Sequence, residues 1–327
     1  MDEHTPRPTD PPGSTGSPQH SRAFRRTRAV IVAVCAAVLA VVVGLGVHSA
    51  AQNRSTPALQ SGSQAAGQTS ASAPPSDSQE AAPAAASPAT PTAGAIDADL
   101  DAEINAIVDA HPEYQRGVAL LDLSDGAAAS QVHEYGVEEA FVAASTAKVL
   151  AAAAYYHLVE TGEASLDDPL GAYTAEFQLQ AMIQQSDNDS WSLIMDAVGY
   201  AELTDYAASI GVDYAPTSNT LTPAEMARIL GGLYSGTLLE PEHTAQLLAY
   251  MQDTNYETLI PAAVPPGITV FHKYGLLGGE LHDAGILAKD GHAYALVIYT
   301  KGDDLSSVPE RTEIIHQVTA AVADALF

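Results

Sequence analysis

The chain has 327 residues, 46% of them hydrophobic, with 40 acidic and 13 basic side chains for a net charge of −27. From Asp97 onward there are 35 acidic against 7 basic residues, a balance that keeps a domain soluble and repels nucleic acid and anionic membrane surfaces. The single cysteine, Cys35, excludes an intramolecular disulfide, so the folded part must rest on its core alone.

Residues 1–28 form a basic tail, with Arg22, Arg25, Arg26 and Arg28 just ahead of an unbroken apolar run over residues 29–47. Nineteen such residues, at about 1.5 Å each, cross a bilayer core. The spacing predicts a transmembrane helix over 29–48. The preceding arginines place the N-terminus in the cytoplasm and the rest of the chain outside, anchored to the cell membrane by one pass. A cleaved signal peptide is the rival reading, under which the domain is secreted. Cys35 lies mid-run behind the bulky Val34, unlike a lipidated cysteine. Residues 49–95 are rich in Ala, Ser, Pro, Thr, Gln and Gly without apolar periodicity. Such a tract cannot offset its ordering entropy and reads as a disordered tether.

A globular pattern fills residues 96–327. Ile96, Leu100, Ile104, Ile107 and Val108 mark one helix face, closed at His111-Pro112. A strand follows from Gly117, a turn begins at Asp125-Gly126, and a second strand covers residues 131–135. Residues 144–260 read as mainly helical. Three strands near 268–274, 282–289 and 292–300 and a last amphipathic helix through Ile314, Ile315, Val318, Val322 and Leu326 complete the chain. Helix, two strands, helices, three strands, helix predicts an α+β fold. One antiparallel five-stranded sheet is flanked by helices, with an all-helical lobe beside it.

Three stretches carry chemistry. In Ala144-Ser145-Thr146-Ala147-Lys148 a serine sits one turn before a lysine at the start of an apolar helix. Burial lowers a lysine's pKa, so Lys148 could take the Ser145 proton. The plain alternative is a serine N-cap and a snorkelling lysine. Gln185-Ser186-Asp187-Asn188 puts a hydroxyl and an amide two residues apart before a helix, or is simply a turn and cap. Phe271-His272-Lys273-Tyr274-Gly275 ends a strand. There Lys273 could hold an anionic group and Gly275 admit a substrate backbone, or Lys273 could only guard a sheet edge. His272 and His282 lack the partners of a metal site.

Taken together, the serine–lysine pair, Ser-Asp-Asn about forty residues on and Lys-x-Gly near the end resemble the penicillin-recognising serine enzymes. Within that group the class A β-lactamase branch is nearest, with its S-x-x-K, S-D-N and K-T-G set. Leu221-Thr222-Pro223-Ala224-Glu225-Met226 looks like the family's Thr-Pro helix start. Leu281-His282-Asp283-Ala284-Gly285-Ile286 looks like its fourth sheet strand. The resemblance spans roughly residues 97–327 and implies a β-lactamase/transpeptidase-like fold, a serine hydrolase without cofactor or metal, and a β-lactam or peptidoglycan peptide as substrate. By that resemblance Ser145 is the nucleophile and Lys148 its base. Ser186 passes a proton to the leaving nitrogen, and Asn188 holds Lys148 and the substrate amide. Lys273 gives positive potential, and the backbone N–H groups of Ser145 and Leu276 form the oxyanion hole.

The sequence departs from that family at three places. Tyr274 stands where a Thr or Ser would contact the substrate carboxylate. His282 stands where the next strand would offer an arginine, as a weaker and pH-dependent contact or as a plain strand residue. Residues 211–221, where the Ω loop belongs, are short and hold no glutamate, with Asp213 as their sole acid. Losing a general base slows its step about 10²–10⁴-fold, so release of the acyl group is expected to be slow. Three readings stay open: a slow β-lactamase-like hydrolase, a D-alanyl-D-alanine carboxypeptidase of the penicillin-binding type, and a non-catalytic sensor or scaffold.

Overall fold

The computed structural model describes residues 95–124 and 131–327. The expected basic tail, transmembrane helix and linker, and the turn at Asp125-Gly126, lie outside the described residues. Every element below lies in the compact unit that ends at Phe327.

Helix α1 (Ala98–Asp109) starts at Asp97, whose carboxylate accepts the amides of Asp99 and Leu100. This is an N-cap that satisfies two of the first-turn donors. Its face Leu100, Ile104 and Val108 is buried, as the apolar spacing predicts. Strands β1 (Gln115–Asp122) and β2 (His133–Gly136) form an antiparallel pair. Late in the chain come β7 (Thr269–Leu277), β8 (Glu280–Lys289) and β9 (His292–Lys301), which complete a five-stranded sheet in the order β2-β1-β9-β8-β7. The sheet is antiparallel throughout, and its central strand is among the last to be synthesised.

Side chains alternate across a strand, and both faces of β1 are covered. Val118 and Leu120 pack with α1 and with α9 (Val308–Leu326). Ala119 and Leu121 join the larger core on the opposite face. That double burial is why β1 reads as a continuous apolar run instead of an alternating one.

Between the two parts of the sheet lies the helical section. It comprises α2 (Lys148–Thr161), α3 (Ala175–Gln184), α4 (Asn188–Val198), α5 (Tyr200–Ser209), α6 (Pro223–Tyr234), α7 (Pro241–Tyr250) and a short α8 (Ile260–Ala263). Short strands interrupt it: β3 (Phe141–Val142), β4 (Pro169–Leu170), β5 (Tyr173–Thr174) and β6 (Thr220–Leu221). Helix α2 is buried on nearly every side, the pattern of a helix packed on all faces. It ends at Gly162, whose φ of 79° gives the left-handed C-terminal turn. Helices α3, α4, α5 and α7 pack around it, and α6 lies on β1, β8 and β9. Pairing of β3 with β6 (Phe141 to Leu221, Val142 to Thr220) ties the residues ahead of Ser145 to the end of the 211–221 loop. Among the described residues, no helix is long and apolar enough to cross a membrane.

Candidate active site

Ser145 lies in a 3₁₀ turn, Ala144–Ala147, that runs directly into α2. Its hydroxyl caps nothing, so the reading of Ser145 as an ordinary helix N-cap fails. The backbone N–H of Lys148 donates to the carbonyl of Ser145, which sets the two side chains one tight turn apart on one side.

The Lys148 ammonium is almost wholly enclosed, the residue being 3% exposed. It donates to the Ser186 carbonyl at 2.7 Å, to Asn188 Oδ1 at 2.8 Å and, more weakly, to the Ser186 hydroxyl and Asp187 carbonyl at 3.4 Å. Burial lowers its pKa to about 7 against a partial opposing pull from Asp187. The Ser-Asp-Asn stretch divides its labour. Asp187 is the cap of α4, accepting the Ser190 amide at 2.7 Å. Ser186 and Asn188 turn to Lys148, helped by a left-handed φ of 53° at Ser186.

Strand β7 is a sheet edge, and it brings the third stretch against the 3₁₀ turn. A Cβ on Gly275 would stand 3.1 Å from the Ala143 carbonyl and 3.2 Å from the Ser145 nitrogen. The close approach that Gly275 permits is to the backbone around Ser145. Leu276 follows on the same edge and is half-buried.

Lys273 is fully buried, so it is not an edge guard. Burial, and then the nearby Lys148 ammonium, push its pKa well below the usual lysine value, with Asp283 opposing. Lys148 and Lys273 therefore lie close enough to repel. The Lys273 Nζ donates to the Tyr274 carbonyl at 3.1 Å and sits 4.1 Å from the centre of the Tyr274 ring. Tyr274 does not point a free hydroxyl at a ligand. Its O–H donates to Asn255 Oδ1 at 3.1 Å.

His282 lies inside the sheet, in the place of the plain strand residue that the sequence also allows. It is 0% exposed, its Nε2 lies 2.9 Å from the Val142 carbonyl, and its Nδ1 accepts the Thr300 amide at 3.1 Å. Burial lowers its pKa to about 4. Its Nε2 also lies 3.5 Å from the Glu280 carboxylate, and its ring stacks on Tyr299.

Several contributors carry no motif. Asn219, with a left-handed φ of 53°, accepts the Ala143 amide on its carbonyl at 2.7 Å and donates its side-chain amide to the Ala144 carbonyl at 3.0 Å. Tyr214 fixes that side chain by donating to its Oδ1 at 2.9 Å. Ala144 itself has φ 49°, a strained state for a residue with a Cβ, held only because its surroundings over-determine it. Below the turn, Thr146 bonds the Ala143 carbonyl and the Tyr299 hydroxyl. Behind Lys273, buried His272 pairs with Asp283 at 2.9 Å and with Glu257 at 3.1 Å. The one sequence hint to these was Asn219, since asparagine tolerates positive φ.

Glu225 is the acid tied to the 211–221 loop, and it is fully used. It accepts the Asp213 amide at 2.9 Å and the Thr222 amide and hydroxyl at 2.8 and 2.9 Å, closing a capping box on α6. Asp213 is exposed. Among the described residues, no group of three or more His, Cys, Asp or Glu could hold a metal ion.

An accessible serine, a buried lysine of lowered pKa and a backbone N–H at a tight turn can perform acyl transfer. Comparison with known proteins points the same way. The β-lactamase enzyme family matches residues 99–326. The chain is 28% identical over 272 residues to β-lactamase OXY-2 of Klebsiella oxytoca, covering 71% of this chain and 92% of that protein. It is 26% identical over 245 residues to β-lactamase CTX-M-8 of Citrobacter amalonaticus, covering 64% and 83%. In structure it is similar to a mutant of PBP-A solved as an acyl-enzyme complex with penicillin G. The TM-score is 0.62 at 26% identity, over 69% of this chain and 96% of that one.

Proposed function

The chain belongs to the β-lactamase enzyme family and is a serine hydrolase, and on that premise we propose that Ser145 takes an acyl group from β-lactams or related peptidoglycan peptides and releases it slowly. The observation that carries this reading is the enclosure of Lys148 beside Ser145, with a pKa of about 7. Near neutral pH, about half of such a lysine is an unprotonated amine able to act as a base.

The Ser145 hydroxyl passes its proton to Lys148 as its oxygen bonds to the ligand carbonyl carbon. The carbonyl oxygen becomes an oxyanion received by the N–H groups of Ser145 and Leu276, and losing one such donor costs about 10²–10³ in rate. The C–N bond then breaks. The departing nitrogen takes its proton through Ser186, whose hydroxyl is 3.4 Å from Lys148. Asn188 keeps the ammonium in place. Water must next attack the acyl-serine. The 211–221 loop, where the resemblance places a glutamate base, has none, and Glu225 is committed to its capping box. Slow release follows from that chemistry.

The loop without a glutamate also supports a second reading, a D-alanyl-D-alanine carboxypeptidase of the penicillin-binding type. The apolar run over residues 29–47 supports a cell-membrane anchor with the domain outside, where peptidoglycan lies.

Intact-mass measurement of the full chain mixed with benzylpenicillin tests the proposal. A covalent adduct that decays slowly is expected, and Ser145→Ala should form none. Rapid loss of the adduct with hydrolysed drug would overturn slow release, and absence of any adduct would overturn the acylation reading.

A further inference from the structure

Beside the buried Lys273, a hydrogen-bonded pair of side chains bridges the sheet edge and the Ser-Asp-Asn turn. Tyr274, on the edge strand β7, donates its hydroxyl to Asn255 Oδ1 at 3.1 Å. Asn255 is itself fixed to the turn ahead of Ser186. Its side-chain amide donates to the Gln185 carbonyl at 2.9 Å and its backbone amide to the Gln184 carbonyl at 3.0 Å. Tyr256 packs on the Tyr274 ring, centre to centre 4.8 Å. The chain thus bridges from the sheet edge to the Ser-Asp-Asn turn through two named side chains.

Lys273 lies beneath that bridge. Its ammonium faces the Tyr274 ring and carbonyl and has no solvent exposure. A lysine that receives an anionic group must present its ammonium to that group. Here an approaching carboxylate meets a phenol and an amide, and finds no partner charge to replace the water it sheds.

We propose that the Tyr274–Asn255 clasp is a specificity determinant, excluding ligand carboxylates from Lys273 and favouring acyl donors that are uncharged and hydrogen-bonding there. The inference rests on acylation at Ser145 for its substrate consequence, while the cover over Lys273 can be tested without it.

The experiment has two arms on the full chain. Reductive methylation followed by peptide mass mapping reads the cover. Lys301, 50% exposed at its side chain, should be labelled and Lys273 should not. Tyr274→Ala should expose Lys273 to labelling, while Tyr274→Phe, which keeps the ring, should leave it protected. Acylation rates with benzylpenicillin and its methyl ester read selectivity. The unaltered chain should treat the two within about threefold, and Tyr274→Thr should prefer the free acid by about tenfold or more, the effect of one additional charge-assisted hydrogen bond. Labelling of Lys273 in the unaltered chain as fast as Lys301, or a tenfold preference of that chain for the free acid, would overturn the proposal. Should Tyr274→Ala not fold, the unaltered chain and Tyr274→Phe still decide it. Absence of adducts with either compound in every variant would instead sink the acylation reading, leaving the cover to be judged by labelling.

Discussion

The side-chain amide of Asn219 donates to the carbonyl of Ala144 at 3.0 Å, joining the loop ahead of α6 to the residue that precedes Ser145. Ala144 is left-handed, and that turn of the chain aims the Ser145 N–H beside Gly275. Asn219→Asp replaces the donor with a carboxylate facing a carbonyl. Losing that hydrogen bond is worth about 1–2 kcal/mol, so acylation should slow by about tenfold. Stopped-flow acylation with a chromogenic cephalosporin checks this. An unchanged rate in a folded variant would remove Asn219 from the positioning of the turn.

Gly275→Ala tests the same turn from the sheet side. The new Cβ would press on the Ala143 carbonyl, the Ala144 Cβ and the Ser145 nitrogen at 3.1–3.2 Å, tighter than ordinary contact. The Ser145 N–H must shift, and misplacing an oxyanion donor costs up to about 10²-fold. The expected result is a large fall in acylation rate with a small change in melting temperature. A variant acylating at the original rate would show that the turn does not need this contact.

The pH dependence of acylation reports Lys148. Its pKa is lowered to about 7, and only the unprotonated amine can accept the serine proton. The rate should therefore rise with pH through about 7 and level off above it. Lys148→Arg should stay inactive across the range, because a guanidinium keeps its proton. A rate flat between pH 5.5 and 8.5, about 1.5 units either side of that value, would assign the proton to another group.

His272 supports the strand behind Lys273. Burial pulls its pKa down, but Asp283 and the hydrogen bonds to Asp283 and Glu257 outweigh that and raise it to about 9. A raised value means the ion pair stabilises the fold fully below about 6.5 and loses that contribution as pH rises through about 9. His272→Gln leaves the buried Asp283 carboxylate without its charged partner, which typically costs about 3–5 kcal/mol. Urea unfolding should show the gap between variant and parent largest near pH 6 and narrowing above pH 9, on either side of that titration. A gap that widens with pH would contradict the assignment of the charge to His272.

Much of the fold was legible because its signals are local. The apolar faces of α1 and α9, the enclosed character of α2, and the late strands announce themselves in spacing. Ser145, Lys148, Ser186 and Asn188 were legible as motifs, and the structure gathers Ser186 and Asn188 around the Lys148 ammonium. What could not be read depends on pairing across long stretches of chain. Asn219 meets Ala144 although 75 positions separate them in the chain, and Tyr274 finds Asn255 only because β7 forms the sheet edge. The Val142 carbonyl likewise meets His282 across 140 positions of chain.

Locating the adduct is the most direct test of nucleophilic attack by Ser145. After brief exposure of the full chain to benzylpenicillin, digestion and tandem mass spectrometry should place one penicilloyl group on the Ser145 hydroxyl. A modified lysine, a label on Ser186, or an adduct that persists in Ser145→Ala would contradict it.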